Sequence, residues 1–195
     1  DVADLQGVPA TGGSVVAVEA IPNLLSALVD KSMIVADTTR RPSRYSLLET
    51  MRTFGREQLR NAGSTAALSR RHAARATDQA QHAHGGINGP DEAAWSHRLE
   101  EQFDDLRIAH RWALAEGDTD RALQLVLGLR EFAFRRMRYE LFSWAEATLA
   151  MPGITAHPLA PLAFATAGYG RFVRGDLDRA TALAEQSLTL EQHLR

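Results

Sequence analysis

Along most of this 195-residue chain, apolar side chains recur at three- and four-residue spacing, a period that commits it to amphipathic helices. Ile21, Leu24, Leu25, Leu28 and Val29 form the first such face, with Pro22 in the first turn, where its missing N–H costs nothing. The period then changes. Met33-Ile34-Val35 is a short β-prone run, Asp37–Ser43 is polar, and Tyr45 and Leu47 alternate with Arg44 and Ser46. That predicts two short strands around a loop. A lone hairpin is marginal in water, so this one is expected to pack on its flanking helices.

The helical period returns from Leu48 to Asn61, with Leu48, Met51, Phe54 and Leu59 as its stripe and Gly63 at a helix-ending position. From Ser64 to His82 the chain is rich in alanine (Ala66, Ala67, Ala73, Ala74, Ala76, Ala80), which predicts a helix that packs closely and buries little area. The run from His84 to Pro90, with Gly85, Gly86 and Gly89, reads as a linker. Residues 1–13 read as a loop, with Val2, Leu5 and Val8 closed by Pro9 and Gly12-Gly13. Beyond residue 90 every segment reads as helical. Asp91 is a candidate N-cap for a helix with Trp95 and Leu99, whose apolar face Phe103, Leu106, Ala109, Ala113 and Leu114 continue. Asp118 or Thr119 can cap the next helix, with Ala122, Leu125, Val126, Leu129 and Phe132. Leu141, Trp144, Ala147 and Leu149 mark another. The Met151-Pro152-Gly153 and His157-Pro158 breaks precede a final helical pair from about Leu159 to Leu194.

Composition narrows the functional classes. Formal net charge is −2, so the whole chain has no electrostatic pull on nucleic acid or anionic lipid. No apolar run approaches a membrane span, and nothing at the N-terminus reads as a signal peptide. Absence of cysteine removes disulfides and thiolate metal sites and fits the cytoplasm. Of 22 basic residues only Lys31 is lysine, a sign of a GC-rich genome. The chain opens on Asp1 and stops at Arg195 inside an apolar-periodic segment, so it is expected to be part of something longer.

One pattern occurs twice. Gly117-Asp118 is followed by Ala122, and Gly175-Asp176 by Ala180. In each, the Gly is expected to end one helix, the Asp to cap the next, and the Ala to let the two cross closely. With Gly168, Ala184 and Ser187 around the second copy, the pattern resembles a tetratricopeptide repeat, a pair of antiparallel helices. The first copy has His110 where the close-packing Gly would sit, and Arg138-Tyr139 stands at an intermediate turn without a Gly.

Upstream, "LLSALVDKSMIV" (Leu24–Val35), "RYSLLETMRTFGREQL" (Arg44–Leu59) and "RRHAARA" (Arg70–Ala76) resemble a signature of bacterial STAND-type regulators. These are large AfsR/LuxR-like proteins in which a P-loop (NB-ARC) ATPase module precedes a winged helix and a helical-repeat sensor. "WSHRLEEQFDDLRIAHRWALAEGD" (Trp95–Asp118) looks like the start of their repeat region. The resemblance implies ATP or ADP for an upstream module, but the GxxxxGK[ST] loop is absent here, so no cofactor is expected in this fragment. Some relatives carry a Met-His-Asp motif whose His touches ADP; the matching positions read Leu47-Leu48-Glu49, without the imidazole.

Catalytic and metal chemistry find little support. Seven histidines lack ligand spacing: His82 and His84 are two apart and His72 is ten residues back. Glu100-Glu101 and Asp104-Asp105 read as the wet face of a helix, and Ser32, Ser64 and Ser69 lie in no strained elbow. Two candidate faces remain. From Arg40 to Arg75 nine arginines stand against Glu49 and Glu57; Arg40, Arg41 and Arg44 lie on the hairpin, and Arg52, Arg56 and Arg60 stack on one helix face. That face suits DNA phosphates, docking toward the ATPase module, or plain solvation. The helix Ile21–Asp30 has no Arg, Gln or Lys to read base edges. On the last helical pair, Tyr169 and Phe172, flanked by Arg171 and Arg174, suit a partner-binding groove, with core packing as the alternative.

The expected architecture is mainly α: a truncated winged helix with one small β-hairpin (1–85), then antiparallel tetratricopeptide-like helical hairpins (90–195). The expected role is non-catalytic relay in a signal-responsive transcription regulator, through contacts with its own ATPase module, other regulators, a peptide or a small effector. A DNA-binding winged helix and a peptide-binding scaffold are the alternatives. No membrane association is expected.

Overall fold

The structure, a computed structural model, describes residues 17–39 and 43–193. Among them are ten α-helices and one two-stranded antiparallel hairpin, so the fold is mainly α with a small β element, as the periodicity predicts. The chain forms two compact units that divide between Arg71 and His72. No helix among the described residues is long and apolar enough to cross a membrane.

In the first unit, α1 (Ile21–Asp30) buries Ile21. It ends on a left-handed residue that is not glycine: Ser32, at φ 54°, lets the Met33 N–H reach Leu28 O at 2.9 Å. β1 (Ile34–Asp37) and β2 (Arg44–Leu47) then pair with Ile34 opposite Leu47 and Asp37 opposite Arg44. Ile34 is buried, but Val35, Tyr45 and Leu47 are exposed. α2 (Glu49–Asn61) is strongly amphipathic, yet none of its residues is fully buried, and Phe54 is 52% exposed. The stripe read from the sequence therefore exists without meeting a core. The following α3 (Thr65–Ile87) begins in this unit and runs into the second.

One expectation is corrected here. The run from His84 to Pro90 is not a linker: α3 continues through Gly85-Gly86 to Ile87, and only Asn88–Pro90 leave the helix. Burial of Ala83 and Ile87 holds this last turn in the core, and an added Cβ at Gly86 would collide with the Trp95 indole. Tertiary packing overrides the poor helix propensity of glycine.

The second unit is a stack of helices. After α3 come α4 (Glu92–Glu101) and α5 (Phe103–Glu116), kinked at Gln102, then α6 (Thr119–Gly128) and α7 (Arg130–Arg136), kinked at Leu129. α8 (Tyr139–Leu149), α9 (Ala160–Phe172) and α10 (Leu177–His193) complete it. Neither kink shows in the apolar period, which continues across both. Asp91 precedes α4 without a side-chain cap bond, whereas Asp118 accepts from Arg121 N at 3.0 Å and Asp176 from Arg179 N at 3.3 Å. Gly117 and Gly175 are left-handed, so both Gly-Asp pairs turn the chain as expected. At the intermediate turn Met137 takes the left-handed conformation in place of a glycine.

Close approach is set by small residues. Ala73, Ala76, Ala80 and Ala83 of α3 are all buried, and an added Cβ at Gly128 of α6 would lie 2.8 Å from the Ala80 backbone. On α9, Gly168 faces α10, where an added Cβ would lie 3.3 Å from Ala180 O, while Gly170 leaves no room for a Cβ beside Phe142 of α8. The Ser187 hydroxyl donates to Pro161 O at 2.7 Å, which with the Gly168–Ala180 approach makes α9 and α10 an antiparallel pair.

His110 does not imitate the glycine whose place it takes. It is buried, its ring stacked on Trp144 of α8 at 4.9 Å with 8° between planes, and Nε2 shares a hydrogen bond with the Thr148 hydroxyl at 3.0 Å. Burial lowers its pKa to about 4, so the ring is neutral at pH 7.

Two outcomes follow. Gly85→Ala, in open helical surroundings, is expected to raise stability by about 0.5–1 kcal/mol, whereas Gly128→Ala should lower it by about 2 kcal/mol or more; thermal melts read both, and a loss at Gly85 would refute the continuous helix. His110 binds its proton more weakly folded than unfolded, so its contribution is complete near pH 7 and is lost as pH falls from the unfolded value near 6.5 towards 4. Unfolding free energies from urea melts at pH 7 and pH 4.5 should differ by about 2–3 kcal/mol less in His110→Phe than in the unaltered chain.

Candidate functional site

The four aromatic-face residues all lie on or just beyond α9, and the structure separates their roles. Tyr169 stands at the end of a ring cluster, 4.5 Å from Phe134 of α7 and 5.6 Å from Phe142 of α8. Phe142 is fully buried, whereas Tyr169 is itself 36% exposed at the rim of the cluster. Phe172 lies 6.3 Å beyond Tyr169 and is 59% exposed, so it packs against the cluster without being enclosed. Tyr139 at the start of α8 is also exposed, its ring 6.5 Å from Phe142, and Met137 in the turn before it is exposed as well. Large apolar groups are thus left in water on a rigid base.

The arginines that flank these groups are anchored. Arg171 pairs with Glu146 of α8 and, at 3.2 Å, with Asp176. Glu146 beside it holds the guanidinium pKa above its ordinary value. Arg174 donates to Tyr139 O at 2.9 Å and Ser143 Oγ at 3.1 Å, its guanidinium over the Tyr139 ring at 5.8 Å. Both tie the end of α9 to α8. About a third of each side chain stays exposed. Phe134, Phe142 and Tyr139 come from two other helices, and nothing local in the sequence links them to Tyr169.

The basic face is only partly within view. Arg40 and Arg41 lie outside the described residues, and Arg44 is placed by its backbone alone, opposite Asp37. Arg52 is paired with Glu49 at 2.9 Å. Arg56 and Arg60, one turn apart on α2, line a groove against α3 together with Leu59, Leu68 and Ser69.

The acidic pairs do not face a common cleft. Glu100 pairs with Arg138, Glu101 with His97, Asp104 with Arg107 and Asp105 with His72. Arg107 also reaches across to Glu140 of α8, whose carboxyl it holds below the usual range. These carboxylates act as ties between and along helices. Among the described residues no three His, Asp or Glu side chains converge to hold a metal ion.

No family model matches the chain, and no solved structure does. It is similar to proteins named "Putative HTH-type transcriptional regulator" from Mycobacterium bovis and from two strains of Mycobacterium tuberculosis, each 36% identical over 129 residues. Those residues are 64% of this chain and only 14% of each relative. The chain therefore resembles a short segment of much longer transcription regulators.

Proposed function

We propose that this chain is a non-catalytic regulatory segment of a transcription regulator and that its helical hairpins receive a protein partner at the α8–α9 edge. The observation that carries this reading is the exposure of Tyr139 and Phe172 on a base of packed rings. Large apolar groups held rigidly in water are the usual material of a protein–protein contact, because covering them releases water at little entropic cost. The relatives' names supply the regulatory context. The finer reading, a STAND-type protein whose ATPase module lies elsewhere and whose repeats sense an effector, rests on the Leu24–Val35 and Arg44–Leu59 blocks. In that scheme a partner bound at the hairpins shifts a two-state packing equilibrium, and nucleotide exchange in the ATPase module changes in response.

DNA binding is the second reading, favoured by the basic face of α2. Against it stands α1, which offers no Arg, Lys or Gln to a base edge. Protein contact is the better account.

The reading predicts that Tyr139→Ser with Phe172→Ser, built into the full-length regulator, abolishes effector-dependent transcription of a reporter while the melting temperature of the chain stays within a few degrees. A reporter response equal to that of the unaltered protein would refute the assignment of this edge.

A further inference from the structure

Arg56 and Arg60 differ from several other described arginines. Arg52, Arg107, Arg121, Arg138 and Arg171 each hold a carboxylate. Arg56 and Arg60 have no ion pair or hydrogen bond among the described residues. Four apart on α2, they lie on one side of the helix and bring two fixed positive charges to one opening. The opening is a groove of about 530 Å³ between α2 and the start of α3. Thr53 of α2 and Thr65 and Ser69 of α3 add three hydroxyls to its lining. α3 is 23 residues long and has no acidic residue in its first turn. The remaining walls are apolar, formed by the half-buried Leu59 and Leu68.

We infer that this groove is a binding site for a small phosphate ester with an apolar body. Two guanidinium groups match the double negative charge of a phosphate monoester, and charge-assisted hydrogen bonds to planar guanidinium are the strong kind. The hydroxyls supply further donors. Leu59 and Leu68 require the second half of the ligand: a free phosphate ion would leave them wet, and so would a nucleic-acid backbone, whose contacts are phosphate and sugar. The site is independent of the partner edge on α8 and α9, and either can fail alone.

Calorimetric titration of the 195-residue chain with phenyl phosphate tests the inference, with inorganic phosphate, benzyl alcohol and a short DNA duplex as comparison ligands. Saturable binding of phenyl phosphate is expected, at least about tenfold tighter than inorganic phosphate. The double variant Arg56→Gln, Arg60→Gln should weaken it by about tenfold or more at an unchanged melting temperature, and Arg52→Gln should leave it unaltered. Absence of saturable binding overturns the site, as does equal affinity for inorganic phosphate. So does equal loss in Arg52→Gln, or a duplex that binds more tightly than phenyl phosphate and displaces it.

Discussion

Two helix backbones can approach closely only where a side chain is small, and the second unit is arranged by that steric limit. Gly128 lies against the Ala80 backbone, so α6 sits on the alanine face of α3 at a distance no larger residue would permit. α9 repeats the device on two sides, with Gly168 towards α10 and Gly170 towards α8. Large side chains then fill what the close crossings leave: Phe132, Phe142, Leu106, Leu123, Leu125 and Leu129 are all fully buried. Each such burial contributes roughly 1.5–3 kcal/mol, and the tight crossings fix which of them can touch.

Polar groups set the register of the same stack. Arg107 reaches Glu140, Arg171 reaches Glu146, and His110 meets Thr148, so α5 and α9 are each pinned to α8 by a directional contact. Surface ion pairs contribute little stability. Their consequence here is orientation: the pairs fix how α5 and α9 lie on α8, while Arg56 and Arg60 are among the described arginines that no carboxylate engages.

The sequence disclosed the elements well where the cause is local. Both Gly-Asp turns, the hairpin around its polar loop, the alanine-rich helix and the final helical pair all follow from neighbours within a turn or two. It misled at Gly85-Gly86, where two poor helix formers are kept helical by Ala83, Ile87 and the indole of Trp95. It could not show the kinks at Gln102 and Leu129, across which the apolar period runs on. It placed Tyr169 and Phe172 on an interaction face but missed Tyr139, because the two meet only when α8 and α9 pack. It set Arg171 and Arg174 beside these rings, and only the packing of α8 and α9 shows that Glu146 and the Tyr139 carbonyl bind them.

By itself the sequence determined the type and order of most helices and strands and the two Gly-Asp turns, since capping, left-handed glycine and the 3.6 period act within a few residues. It also limited the chemistry, by omitting cysteine and any phosphate-binding loop. Tertiary structure alone decided which apolar residues are core and which are surface. Phe142 and Phe172 are the same side chain in similar helical patterns, yet one is fully buried and the other 59% exposed. Burial is a property of what packs alongside, and a helix does not carry its neighbours in its own residues.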